Sequence, residues 1–419
     1  MSSSINPVSN TNEDFEGRHI AVLSLHTSPF IQPGYGDSGG MNVYIRELVG
    51  SLAHKGAKCS VYVRRWEKAL PDEELIEPGV RLVHIDAGNP ELKKNELVDV
   101  VDEFSEGVER DLLLSSEADV LHANYWLSGI SGHALKHRLG LPLVTTFHTL
   151  GKTKISSGEF ESRERIKMEQ EIITCSDIVV ANSVDEANQL KDLYAAPEER
   201  VAVVPLGVEH AFFAPGNQDA ARAAIGLGRG PVVTYVGRVQ SLKGVDLALE
   251  MFAELRTENG VLLIVGGASG TGGDNEVRKL NQRIKELDLE EQVRLIPPQP
   301  HHILSTYYRA SDVVVVPSKS ESFGLVALEA AACGTPVVAA SVGGLNDLVL
   351  HGKTGYLVNE RDPKLYAHYA HQILENPLHA AEIAMSAVEK AQQYSWQKTS
   401  DQILDLYASV SSRALVDCR

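Results

Sequence analysis

Short β-branched runs alternate with helical stretches along nearly the whole chain. That alternation is the strongest constraint on the fold, because it builds parallel sheets from repeated strand-helix units. In the first half the expected strands are His19–Leu25, Lys58–Arg64, Val80–Asp86, Ala118–Ala123, Pro142–Thr146, Asp177–Asn182 and Val201–Val204. Helices are expected over Met41–His54, Glu96–Leu114, Arg163–Cys175 and Val184–Leu193. A stretch with Gly207, Pro215 and Gly216 interrupts the pattern at 207–218 and reads as an interdomain hinge. The pattern then restarts with Pro231–Val236, Val261–Gly266, Val293–Ile296, Val313–Pro317 and Pro336–Ala340. At 419 residues the chain is long enough for two domains. Residues 1–17 are polar, without the apolar stretch of a signal peptide, and read as a disordered tail.

The Val-rich run Asp312–Ser318 leads into Glu321, and a Leu- and Ala-rich helical segment from Gly324 to Ala332 carries Glu329. Ligands of open α/β sheets bind at the carboxyl ends of strands, and a new helix turns its first N–H groups towards an anion there. Two carboxylates around such a helix start suit sugar hydroxyls, while the amides suit a phosphate. Capping of the helix, or a solvated face, is the plainer account of the same residues. A second loop, between the first strand and its helix, carries Gly34, Gly36, Gly39 and Gly40. Its spacing is not that of a dinucleotide fingerprint, because the last two glycines adjoin, so a sugar or phosphate site fits better.

Composition narrows the partners. A net charge of −17 leaves no basic surplus for a nucleic-acid backbone. No run of apolar residues is long enough to span a membrane. Cys59, Cys175, Cys333 and Cys418 show no zinc spacing and read as reduced thiols of a cytoplasmic protein.

The segment E-S-F-G-L-V-A-L-E from Glu321 to Glu329 resembles the donor-site motif of retaining glycosyltransferases with the GT-B fold. Gly237-Arg238 through Lys243-Gly244, Gly334 through Val338, and Gly343-Gly344 agree with that family's pattern. In the N-terminal half, His26 through Pro29, Gly36 through Tyr44, Asn124 through Gly129 and Thr146 through Leu150 are similar to the D-inositol-3-phosphate glycosyltransferases of the mycothiol pathway. Asn124 stands where that family has a His before Tyr-Trp, and Phe147 replaces a smaller residue. The resemblance runs from about His19 to Tyr407. It implies two Rossmann-like domains, 18–207 for the acceptor and 208–394 for the nucleotide sugar, facing a central cleft. A C-terminal helix within 395–419 should cross back onto the first domain.

The implied reaction moves N-acetylglucosamine from UDP-GlcNAc to 1D-myo-inositol 3-phosphate with retention. Arg238 and Lys243 would stabilise the departing diphosphate, aided by the amides of Phe323, Gly324 and Leu325. His148 would orient the donor sugar, Glu321 would read its hydroxyls, and Glu329 would hold the ribose. Gln32, Pro33, Gly40 and Gln299 would complete donor contacts. No separate nucleophile is evident, which favours front-face attack with the leaving phosphate taking the acceptor's proton. The resemblance places His26, Asp37, Ser38, Gly39, Gly40, Met41 and Asn42 around the inositol ring. It places Lys94, Tyr125, Thr149 and Arg165 around the acceptor's phosphate, with Lys93 able to exchange for Lys94. No cofactor is required for the chemistry. By resemblance a peripheral Mg²⁺ would lie near Tyr308, Arg309, Ser311 and Thr335, and a homodimer is allowed. Competing readings are a sucrose-phosphate-synthase-like transferase, a UDP-sugar epimerase and a non-catalytic sugar-nucleotide binder.

Overall fold

The computed structural model describes residues 17–34, 36, 38–115, 117–268 and 273–418. The expected tail before Gly17 and the expected ligand contact Asp37 lie outside the described residues. The first half holds strands β1 His19–Leu23, β2 Lys58–Arg64, β3 Glu73–Glu77, β4 Val80–Ile85, β5 Val120–Asn124, β6 Leu143–Thr146, β7 Ile178–Ala181 and β8 Val201–Val203. They form one sheet in the order β3-β4-β2-β1-β5-β6-β7-β8. The second half holds β9 Val232–Val236, β10 Val261–Val265, β11 Val293–Ile296, β12 Val313–Val316, β13 Val337–Ala340 and β14 Tyr356–Val358. Their order is β11-β10-β9-β12-β13-β14.

Every pairing is parallel except β3 on β4. The sequence reading lacked that antiparallel strand. Three of the five residues in its Glu73-Glu-Leu-Ile-Glu77 run are charged and none is buried at this edge of the sheet, so it has no buried-strand signature. Strand β14 and the helix Tyr125–Leu139 were also missing from it. Strands β1, β5, β12 and β13 are buried along their whole length, as strands flanked by helices on both faces should be.

Strand order reverses between β1 and β5 in the first sheet and between β9 and β12 in the second. These are the two switch points, where a crevice opens at the carboxyl ends of the strands. The loops after β1, β5, β9 and β12 carry motifs, and Thr146 through Leu150 follows β6 beside them.

The last helix, Trp396–Ser411, returns to the first domain. Tyr407 shares a 2.6 Å hydrogen bond with His122 Nδ1 of β5, and Ser51 and Ser400 share one of 2.8 Å. Lys55 pairs with Asp401. Gly207 lies so close to this helix that a Cβ there would stand 2.2 Å from the Trp396 amide nitrogen. The two connections between the halves therefore run packed together.

Cys175 and Cys418 are joined by a disulfide across 243 residues of sequence, whereas Cys59 and Cys333 are free and buried. This corrects the expectation of four reduced thiols. The chain after the last helix doubles back over the first domain, an approach that linear spacing does not reveal. Among the described residues no helix is long and apolar enough to cross a membrane.

Candidate active site

A cleft of about 1500 Å³ is lined by loops of both halves. On the second-domain side, β9 and β12 are neighbours, so their following loops meet. Lys243 ends a short turn, Ser241–Lys243, and Gly244 then takes a left-handed φ of 72° to start the helix Val245–Leu255. A Cβ on Gly244 would lie 2.2 Å from the Pro317 carbonyl oxygen, so only glycine lets these loops close. As a result Lys243 Nζ donates to Glu321 Oε2 at 2.7 Å, and Ser318 donates to the same oxygen at 3.1 Å.

Glu329 lies on the helix Leu325–Ala332 and is buried. Tyr308 donates to its Oε2 at 2.7 Å, and His301 Nε2 lies 2.6 Å from its Oε1. Burial opposes a charge on His301, but Glu329 prevails and raises its pKa above the usual imidazole value. His301 was not singled out from sequence. Its only signal is its place in the short turn after β11, since the partner carboxylate is 28 residues away.

The first domain meets this wall directly. Gln32 Nε2 donates to the Pro298 carbonyl at 3.0 Å. A Cβ on Gly39 would sit 3.8 Å from Arg238 Nε, and one on Gly40 would sit 3.6 Å from Leu325 Cδ1. The absent side chains of Gly39 and Gly40 thus leave the start of helix Gly40–His54 open towards Arg238 and Leu325.

Lys94, Tyr125, Thr149 and Arg165 converge on the first-domain side. Arg165 Nη2 donates to the Thr149 carbonyl at 2.9 Å and hydroxyl at 3.3 Å, and Nη1 lies 3.3 Å from the Tyr125 hydroxyl. Lys94 Nζ stands 4.9 Å from the centre of the Tyr125 ring. Arg165 is buried, and its Nε donates to Glu169 at 2.8 Å while Nη1 donates to Glu161 at 2.8 Å. Burial works against its charge, but Tyr125, Glu169 and Glu161 raise its pKa and keep it a cation. Ser162 caps the helix Arg163–Cys175 by accepting from the Arg165 amide at 3.1 Å, which places Arg165 in the first turn facing the cleft. Lys154, paired with Glu161, also lines this wall and was missed from sequence.

Two residues here have left-handed backbones without being glycine, Tyr125 at φ 75° and His148 at φ 62°. Such conformations cost about 1–3 kcal/mol and cluster at functional sites. His148 Nε2 lies 2.9 Å from Asn124 Oδ1, and burial, then His122, lowers its pKa to about 3. Asn124 therefore anchors the ring of His148. Burial, then Lys94, His148, Arg165 and Arg238, hold His26 well below the usual imidazole range. Its Nδ1 is buried without a protein partner, and its ring lies 4.4 Å from that of Tyr125. A buried ring nitrogen without a partner, at the wall of a cleft, is a place for a ligand hydroxyl.

Of the expected contacts, Pro33, Gly39, Gly40, Met41, Gln299, Phe323, Gly324 and Leu325 also line the cleft. Ser38 and Asn42 hold the loop together. Ser38 donates to the Ile31 carbonyl at 3.3 Å. Asn42 accepts from Gly39 at 2.9 Å and donates to Thr27 and Ser28 at 3.0 and 2.7 Å. The four residues named for Mg²⁺ make a poor metal donor set. Arg309 donates to the Ala214 and Phe212 carbonyls, Thr335 to the Tyr308 carbonyl and Ser311 to the Tyr307 carbonyl. They offer no carboxylate, and Mg²⁺ is normally held through one.

Two family models match the chain. Glycosyltransferase Family 4 covers residues 38–212, and Glycosyl transferases group 1 covers residues 217–394. A D-inositol 3-phosphate glycosyltransferase of Nocardiopsis dassonvillei is 40% identical, over 94% of this chain and 96% of its own length. One from Acidothermus cellulolyticus is 42% identical, over 93% of this chain and 90% of its own. Among solved structures, sucrose-phosphate synthase from Thermosynechococcus elongatus superposes with a TM-score of 0.89 at 30% identity, covering 94% of this chain and 98% of that one. Anabaena HepE in complex with UDP and glucose has the same fold, with a TM-score of 0.77 at 21% identity, covering 94% and 100%.

Proposed function

Because the chain belongs to the glycosyltransferase family that includes the D-inositol 3-phosphate glycosyltransferases, we propose that it moves N-acetylglucosamine from UDP-GlcNAc to 1D-myo-inositol 3-phosphate. The observation that carries this reading is a cluster of Lys94, Tyr125, Thr149 and Arg165 on one wall, facing Arg238, Lys243 and Glu321 across the same cleft. One wall suits a phosphorylated acceptor and the other a nucleoside diphosphate.

In this mechanism the bond from the anomeric carbon to the diphosphate breaks as the acceptor hydroxyl attacks from the same face. The acceptor's proton passes to the departing phosphate oxygen. Arg238 and Lys243 stabilise the charge that develops there, with the amides that start helix Leu325–Ala332. Lys243 has three N–H donors, so its bond to Glu321 leaves two for phosphate. Glu329 receives one bond from Tyr308 and lies against His301, and its remaining lone pairs suit ribose hydroxyls. His148 stays neutral and orients the sugar. No step needs a metal ion.

The test is a matrix of nucleotide sugars against phosphorylated acceptors, read by product mass, with the product's anomeric configuration read by NMR. Product only from UDP-GlcNAc and inositol 3-phosphate supports the full reading. An inverted product would overturn retention, and UDP release without acceptor would favour an epimerase. The likeness to sucrose-phosphate synthase favours a second reading, in which the same phosphate wall takes a hexose phosphate. Product from that acceptor alone would select it.

A further inference from the structure

Neither cysteine of the disulfide lines the cleft, nor do the neighbouring His133 and His137, and none of the four has a role in the proposed transfer. After the helix Trp396–Ser411, the chain runs back over the first domain, where the Val416 amide donates to Asp177 Oδ1 at 2.7 Å. This brings Cys418 to Cys175, the last residue of helix Arg163–Cys175. Opposite them, His133 and His137 lie one turn apart on helix Tyr125–Leu139, with ring centres 5.1 Å apart.

A disulfide needs no imidazole, yet both rings point a nitrogen at sulfur. His137 Nε2 lies 3.2 Å from Cys418 Sγ and 3.3 Å from Cys175 Sγ, and His133 Nε2 lies 3.7 Å from Cys418 Sγ. All four donor atoms fall within 4.8 Å of one another. In a tetrahedral zinc site, with Zn–S about 2.3 Å and Zn–N about 2.0–2.1 Å, each nitrogen-to-sulfur edge is about 3.5 Å. The observed separations bracket that edge. Two thiolates and two imidazoles are also the mixed donor set that zinc takes in structural sites.

We propose that, once the Cys175–Cys418 disulfide is reduced, His133, His137, Cys175 and Cys418 bind one zinc ion. A dithiol reductant supplies two electrons and two protons. The S–S bond breaks, two thiols form, and the reductant closes to its own disulfide. Zn²⁺ then displaces both thiol protons and is held by two thiolates and two neutral imidazoles. The ion replaces the covalent bond in fastening the C-terminal segment across helices Tyr125–Leu139 and Arg163–Cys175.

The full chain, reduced without oxygen by a phosphine and freed of reductant, is titrated with Co²⁺ and then Zn²⁺. One equivalent of Co²⁺ should bind with the intense visible bands of tetrahedral thiolate coordination, and one equivalent of Zn²⁺ should erase them. The unreduced protein should show no such bands. The double variant His133→Ala, His137→Ala keeps both cysteines and should lose affinity by at least about tenfold, as should Cys418→Ser. The proposal is overturned if the reduced chain takes up no tetrahedral Co²⁺. It is equally overturned if the double-histidine variant binds as tightly as the parent, or if the phosphine cannot open the disulfide in the folded protein.

Discussion

Lys243 Nζ and Glu321 Oε2 lie 2.7 Å apart although 78 residues separate them. Adjacent strands β9 and β12 bring the pair together at the second switch point. The two side chains are only partly buried, so the pair adds little to stability. In the proposed transfer it places a cation where the diphosphate would depart. Lys243→Ala is expected to lower turnover by roughly 10²-fold while melting stays close to the parent's. Steady-state UDP release and a thermal melt check this. A loss of no more than about threefold would remove Lys243 from the leaving-group role.

The acceptor wall predicts a requirement for phosphate on the acceptor. Free myo-inositol should be a very poor substrate next to its 3-phosphate, because it offers no phosphoryl group for Lys94, Tyr125, Thr149 and Arg165 to hold. Lys94→Ala should raise the KM for acceptor with little change in that for donor. Arg165→Ala tests a different property. It leaves the fully buried Glu169 without its cation, while Glu161 keeps Lys154, so a stability loss of roughly 3–5 kcal/mol should accompany lost activity. Equal rates on phosphorylated and free inositol would sink the phosphate wall and leave the transferase standing.

In the proposed transfer the leaving-group cations Arg238 and Lys243 and the acceptor-phosphate cluster come from different halves, so substrate should draw the halves together. The contacts that already cross the cleft, such as Gln32 to Pro298, mark where closure tightens. Small-angle scattering should show a smaller radius of gyration with UDP than without. A radius that does not change while UDP is demonstrably bound would exclude closure. Gly207→Ala, forced against the Trp396 amide, should separate the paired connections and lower both stability and turnover.

Acid stability follows from two buried imidazoles. Burial lowers His122 to about 3, and burial with His122 lowers His148 to about 3. Both pKa values are depressed, so the unfolded chain binds protons first as pH falls. Their stabilising contribution is complete above about pH 6.5 and is lost progressively down to about pH 3, at about 1.4 kcal/mol per pH unit for each group. Urea unfolding between pH 7 and pH 4.5 should show this slope, and NMR titration should show neither ring charging near pH 6.5. A His148 that titrates normally would contradict its burial against Asn124.

How much of this was legible in sequence differs by residue. Glu321 and Glu329 could be placed at a strand end and on the next helix because a Val-rich run followed by Leu and Ala has only one local reading. The edge strand Glu73–Glu77 lacked that signature, because none of its residues is buried. Ser38 and Asn42 tie their loop together, which the sequence could not show, since a polar side chain in a glycine loop can face a ligand, tie the loop or do both.

By itself the sequence determined the local grammar: parallel strands, helix starts, glycines where loops must touch, and carboxylates and cations beside them. Hydrophobic period and backbone sterics act over a few residues, so they can be read from the chain directly. Only the tertiary structure decided that Arg165 would meet Tyr125 and Thr149, that His301 would share Glu329 with Tyr308, and that Cys418 would return to His133, His137 and Cys175. Those pairings depend on which strands lie side by side and on where the last segment is carried back. Strand order and chain return are set by burial summed over whole sheets, and no local spacing records them.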